Sequence, residues 1–156
     1  MNENNLFRIN TGFLINQTVG AYREFDIDAP YIEDESKNIF EDVLATVRIS
    51  RVQQGILVSV KATAKIETSC CRCLEPFQQV ISCEFDELYA FHLRQNADAD
   101  VFLPESGIVD ILPLLLEYLT IEIPIKPLCD EKCRGLCVEC GQNLNLGSCE
   151  HSAEKA

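Results

Sequence analysis

No stretch of the 156-residue chain reaches the eighteen or so uninterrupted apolar positions that a bilayer-crossing helix needs. The opening MNENNLFRIN lacks the basic start and following apolar run of an export signal, so a soluble cytoplasmic protein is expected. Basic residues are scarce: 13 Lys and Arg stand against 25 Asp and Glu, a formal net charge of -12. That deficit excludes a generally basic nucleic-acid coating protein, and any RNA contact must be local. There is no glycine-rich phosphate loop, no GxSxG and no HxE element ahead of a Pro-Cys-x-x-Cys. No nucleophile, base and oxyanion group can be assembled from the pattern, so no enzymatic activity is expected and no small-molecule substrate is evident. Repeats and low-complexity segments are also missing, while a hydrophobic content of 47% rules out disorder throughout.

Cysteine is what the chain has in quantity. There are 9, an odd number in a chain with no export signal, so metal ligation explains them better than a disulfide framework. Five fall at positions 129, 133, 137, 140 and 149, and the others are Cys70, Cys71, Cys73 and Cys83. This uneven spread divides the chain into a β-rich body, residues 1–128, and a cysteine-rich tail, residues 129–156.

The body reads as antiparallel sheet. Val43, Ala45, Val47 and Ile49 alternate with Leu44, Thr46, Arg48 and Ser50 at the two-residue period of a strand. After Gln53-Gln54-Gly55, the alternation resumes with Ile56, Val58, Val60, Ala62, Ala64 and Ile66 on one side. Ile81, Cys83 and Phe85 continue it in 77–91, so the Cys70–Cys73 segment joins two strands of a meander. Residues 22–27 read as a further strand and 11–17 as a helical turn, while 28–42 and 94–107 read as polar, acidic loops. Asp110 is placed to cap a helix with Pro113 in its first turn and Leu112, Leu115, Leu116 and Leu119 at helical spacing. Glu117 is nearly alone as a charge there, which predicts a helix largely buried on the sheet. A short strand over 122–125 should follow. The expected fold is α+β: a twisted antiparallel sheet curling toward a half-barrel, packed by one buried helix and followed by a zinc-binding tail.

In Cys137-Val-Glu-Cys140-Gly141, the CxxC directs two thiolates at one metal and the glycine accepts the tight turn. Cys149 and His151 can supply the other two ligands of a tetrahedral zinc site. Cys70 and Cys73, with Cys129 and Cys133, make a second set of four, which would tie the tail to the meander as a closed structural site. Spacing leaves room for one zinc ion or two, and Cys133 could instead join the 137–140 knuckle. Cys71 and Cys83 read as buried non-ligands, and His92 has no ligand pattern around it. A thioredoxin-type CxxC would need a βαβ setting that this pattern lacks.

One window departs from the acidic background: between 43 and 74, Arg48, Arg51, Lys61, Lys65 and Arg72 face only Glu67. Alternation puts Arg48, Lys61 and Lys65 on one polar face, which could meet RNA phosphate with help from Arg72, or could simply keep a sheet soluble. Metal does not reverse the overall charge, since seven thiolates outweigh two dications. Docking on a basic protein therefore suits the chain better than coating RNA.

Three segments together resemble the YceD family, the large ribosomal RNA subunit accumulation proteins: CCRCLEPF at 70–77, DILPLLLEYLTIEIPIKPLC at 110–129 and CRGLCVECGQNLN at 133–145. The resemblance implies a bacterial, cytoplasmic protein, related to a plastid branch and needed for normal accumulation of large-subunit ribosomal RNA, with no known catalytic activity. Its partner would be the pre-ribosomal large subunit, through ribosomal RNA or a basic ribosomal protein. Many tail-bearing relatives end in Cys-x-Cys where this chain has Cys149-Glu-His151, and imidazole is a chemically acceptable replacement. A thiol- or zinc-based regulator, in which oxidation releases the metal, is the alternative reading.

Overall fold

The computed structural model describes residues 3–147 and 149–151. Its main body is a four-stranded antiparallel sheet in chain order, formed by β2 (Tyr22–Glu33), β3 (Ile39–Arg51), β4 (Gly55–Ser69) and β5 (Pro76–Ala90). β1 (Arg8–Asn10) and β6 (Ile108–Asp110) form a separate two-stranded pair, with Ile9 opposite Val109. A short helix α1 (Gly12–Ile15) follows β1, and the longer α2 (Leu112–Ile121) follows β6. This is the expected α+β arrangement; both sheets are open, and no ladder joins the outer strands β2 and β5 among the described residues. Among the same residues, no helix is long and apolar enough to cross a membrane.

Period-two alternation explains the sheet. Val43, Ala45, Val47 and Ile49 of β3 and Ile56 through Ile66 of β4 are buried on one face, with Ile81, Cys83 and Phe85 of β5 beside them. Onto this face pack Leu115 and Leu119 of α2, together with Phe7, Leu14, Val109 and Ile111. The Phe85 ring stacks on Tyr118 at 4.4 Å between centroids, which fixes α2 against β5. Gly55 is required where β4 starts, because a Cβ there would lie 2.1 Å from the Tyr89 carbonyl oxygen.

Residues 28–42, expected as a loop, are mostly strand: β2 runs to Glu33 and β3 begins at Ile39. Ile32 and Phe40 are buried and opposite each other, so this end of the hairpin contributes to the core. A register shift between Glu41 and Leu44, with Asp42 at φ 49°, interrupts the two-residue period and hides the strand in the sequence. The turn is closed by Asp34, whose carboxylate accepts the backbone and side-chain N–H groups of Asn38, both at 2.8 Å.

Three further expectations are corrected. Asp110 is not the N-cap; it ends β6, Ile111 takes the boundary position, and Asp110 Oδ1 accepts the Leu112 N–H at 3.0 Å. The Ile111 N–H is held by the Phe7 carbonyl, a long-range bond that a local reading could not supply. No strand forms over 122–125: Glu122 closes the helix on Tyr118 and Leu119, and Pro124 and Pro127 remove ladder donors from the exit. α2 is buried only along its Leu115–Leu119 side, while Pro113, Glu117, Thr120 and Ile121 face outward.

Candidate metal centres

The connection between β4 and β5 is a tight knuckle. The Leu74 N–H donates to the Cys70 carbonyl and the Cys70 N–H to the Glu75 carbonyl, both at 2.9 Å. The tail repeats the pattern around Cys137: the Gly141 N–H donates to the Cys137 carbonyl at 2.9 Å and the Cys137 N–H to the Gln142 carbonyl at 2.8 Å. In both knuckles the residue after the second cysteine is left-handed, Gly141 at φ 77° and Leu74 at φ 64°. The shared geometry turns each CxxC pair toward one point.

Each knuckle meets a second pair of ligands. Cys70, Cys73, Cys129 and Cys133 form one cluster and Cys137, Cys140, Cys149 and His151 the other, with the ligand atoms of each cluster all within 4.8 Å of one another. Cys133 therefore groups with Cys129 and the β4–β5 knuckle, which resolves the ambiguity left by spacing. In the first cluster Cys70 Sγ lies 3.7 Å from Cys133 Sγ and Cys73 Sγ 3.7 Å from Cys129 Sγ. A tetrahedron of thiolates around zinc, with Zn–S near 2.3 Å, has edges of about 3.8 Å, whereas a disulfide needs about 2.05 Å. The donor set and spacing fit zinc. The second cluster offers three sulfurs and an imidazole, with Cys149 Sγ 3.9 Å from His151 Nδ1.

Burial separates the two. Cys70, Cys73 and Cys133 form a small core of their own with Phe77, Leu128 and Leu136 packed against it. In the second cluster Cys137 is buried but Cys140 and His151 are exposed.

The thiols are already polarised. N–H groups of Cys73 and Cys129 pull the Cys70 thiol down to about 6, and those of Cys140 and Glu139 do the same for Cys137. The Asn145 side-chain amide is the chief cause of the lowering at Cys133. Lost hydration, followed by the neighbouring thiols, pushes Cys129 up to about 12. At Cys73 the Glu75 N–H pulls downward, but burial and the thiols of Cys70 and Cys133 outweigh it and raise the group. Several thiolates this close cannot all ionise without a cation among them, and a bound dication would reverse the upward shifts.

Residues outside the ligand sets hold the clusters in place. Asn145 Nδ2 donates to Cys133 Sγ at 3.2 Å, while Asn145 Oδ1 accepts the Arg134 N–H at 2.8 Å. Arg72, expected as a partner contact, donates through its guanidinium to the Cys133 carbonyl at 3.0 Å. Gly135 lies against it at φ 77°, where a Cβ would sit 3.4 Å from Arg72 Cβ. The Cys71 N–H bonds the Pro127 carbonyl at 2.8 Å, tying the knuckle to the chain that leads into Cys129. Sequence reasoning missed Asn145; the available signal was an amide in the polar loop between the knuckle and Cys149.

The other readings divide. Cys71 and Cys83 lie outside both ligand sets as expected, but Cys71 is exposed and only Cys83 is buried. His92 stacks on Phe102 at 4.8 Å. Arg48, Lys61 and Lys65 do share the outward side of the sheet, but each faces a carboxylate: Arg48 with Glu24 at 3.8 Å, Lys61 with Glu84 at 3.7 Å and Lys65 with Asp42 at 3.3 Å. All three partners lie outside the 43–74 window, Glu24 and Glu84 on the neighbouring strands β2 and β5. The local positive balance of the sequence is thus matched in the fold by neighbouring carboxylates.

An uncharacterized protein of Mycobacterium leprae is 29% identical over 103 residues, which is 63% of this chain and 47% of that protein. An uncharacterized protein of Mycobacterium tuberculosis is 27% identical over 105 residues, or 63% of this chain and 49% of that protein. The chain spans about half the length of these bacterial relatives. The large ribosomal RNA subunit accumulation protein YCED homolog 1, chloroplastic, of Arabidopsis thaliana is 37% identical over 54 residues, covering 35% of this chain and 17% of the plant protein. No solved structure matches the chain. The family described as large ribosomal RNA subunit accumulation protein YceD matches residues 58–156, a span that takes in both knuckles and every ligand of both clusters, and the chain belongs to that family.

Proposed function

We propose that this protein is a non-enzymatic, cytoplasmic bacterial factor that supports accumulation of large-subunit ribosomal RNA during ribosome assembly, with structural zinc in both clusters. The observation that carries the reading is the family match over 58–156, the stretch in which the two ligand sets lie. Four protein ligands leave no open coordination position, which supports a structural and not a catalytic metal. The first site fastens the tail to the β4–β5 connection through Cys129 and Cys133, and the second shapes the loop that carries Asn145. Zinc would supply cross-links here and no chemistry. The partner is a component of the pre-ribosomal large subunit, and the paired cations of the sheet favour a basic ribosomal protein over RNA phosphate.

The test is sedimentation of the native protein in cell lysate at low and moderate salt, following large-subunit ribosomal RNA in the same fractions. Comigration with large-subunit particles, and loss of that RNA relative to small-subunit RNA on depletion, is the expected result. A protein that stays at the top of the gradient, with unchanged RNA on depletion, overturns the reading. The exposure of Cys140 and His151 supports one second reading, a redox-responsive zinc site. Rapid zinc ejection from the second cluster by mild peroxide would favour it.

A further inference from the structure

The outward side of α2 and the β2–β3 turn enclose a groove of about 530 Å³ that belongs to neither metal cluster. Its apolar surface comes from Leu112, Leu116 and Ile121, the last 68% exposed. Four carboxylates, those of Asp34, Glu35, Asp110 and Glu117, line the same groove, and none of its lining residues is basic. Thr120 Oγ1 lies between the two walls, 2.7 Å from the Leu116 carbonyl oxygen and 3.5 Å from Asp34 Oδ2, and its single proton can go to one of them at a time. Although burial acts to raise the Asp34 carboxyl, hydrogen bonds from Asn38, Ser36 and Thr120 keep it below its ordinary value, so it stays charged. The nearest cation in the sequence, Lys37, is turned to Glu33 at 3.3 Å.

We infer that this groove is a docking site for a polypeptide segment that carries lysine or arginine on either side of apolar side chains. An apolar floor bordered by four carboxylates, with no basic residue in its lining, selects that chemistry on two counts. The floor needs aliphatic or aromatic cover, and the rim repels the phosphates of a nucleic acid. The groove stands apart from the zinc clusters, and the proposal does not depend on the ribosomal reading.

The experiment uses the full chain and a dye-labelled helical peptide of lysine and leucine at i, i+3 and i+4 spacing, with binding followed by fluorescence anisotropy. Two comparison peptides replace leucine by serine or lysine by glutamate. The groove variant Glu35→Gln with Glu117→Gln should weaken binding by about ten-fold, and Ile121→Ser should weaken it separately. The charge-matched control, Asp98→Asn with Asp100→Asn on an exposed loop, should leave it unchanged. Circular dichroism checks that each variant folds. Equal weakening by groove and control variants, or equal binding of the serine peptide, would mean attraction to net charge alone and would overturn the proposal. Absence of binding by the lysine–leucine peptide overturns it as well.

Discussion

The side-chain amide of Asn145 reaches across the tail to the sulfur of Cys133 at 3.2 Å. Asn145 lies in the loop between the second knuckle and Cys149, whereas Cys133 belongs to the first cluster. The loop that follows the second knuckle therefore reaches the first cysteine cluster through one hydrogen bond, and a group that orients a ligand can tune a bound metal without touching it. Asn145→Ala should weaken zinc at the first cluster by roughly 10- to 100-fold and leave the second cluster nearly unchanged. Competition with a chromophoric chelator measures both. Equal affinities in variant and parent would show that the contact has no such role.

Ligand grouping is tested by counting metal. The parent should bind two ions, and Cys70→Ser, Cys129→Ser and Cys133→Ser should each bind one, retained by the site with three sulfurs and an imidazole. Cys149→Ser and His151→Ala should each retain the four-sulfur site instead. Cobalt substitution distinguishes the two by their thiolate charge-transfer bands. A Cys133→Ser protein with the spectrum of the four-sulfur site would disprove the grouping.

The two left-handed knuckle positions give opposite expectations. A Cβ at Gly141 would meet no atom of the described residues within 4 Å, so Gly141→Ala acts through backbone conformation alone and should cost about 1 kcal/mol. Leu74 adopts the same conformation with its side chain 64% exposed. Leu74→Gly should leave stability unchanged or raise it by roughly 0.5 kcal/mol. Denaturant unfolding of the zinc-loaded proteins checks both, and a large loss at Leu74→Gly would contradict the strain argument.

The pairing of the sheet cations predicts the outcome of charge reversal there. Lys61 and Lys65 lie near Glu84 and Asp42, so Lys61→Glu with Lys65→Glu should lower stability by less than about 1 kcal/mol per pair. Cosedimentation with large-subunit particles should not change. Loss of cosedimentation by a folded variant would restore the basic face as the contact surface.

Burial, helped by the charge of Glu122, pushes the Cys83 thiol up to about 11 from an ordinary value of 9.0. Between those values the folded protein keeps a proton that the unfolded chain gives up. The folded state binds more protons there, so stability falls as pH rises through the window and is unaffected below it. Cys83→Ala removes this component, and the stability difference between the two zinc-loaded proteins should shift in favour of the variant across the same range. A constant difference would show that Cys83 does not titrate as described.

The sequence by itself determined the strands β3, β4 and β5, because a two-residue alternation of Val, Ile and Ala with polar residues can be buried on one face only in extended backbone. It also pointed to the eight side chains that the fold gathers into two clusters, since a CxxC ending in a turn directs two thiols at one point. Tertiary structure decided what depended on partners distant in the chain. Cys133 joined Cys129 because the knuckle at Cys70 stands beside the start of the tail, 63 residues away in the chain. β1 and β6 are three residues each, too short for periodicity to show, and exist because each supplies the other's ladder. The bulge at Glu41–Leu44 concealed one end of the first long hairpin by breaking its period. Arg48, Lys61 and Lys65 looked like a basic face within one window of sequence, but their carboxylate partners include residues of β2 and β5. Net charge on a surface is a property of neighbours in space, which strand pairing sets and linear spacing does not.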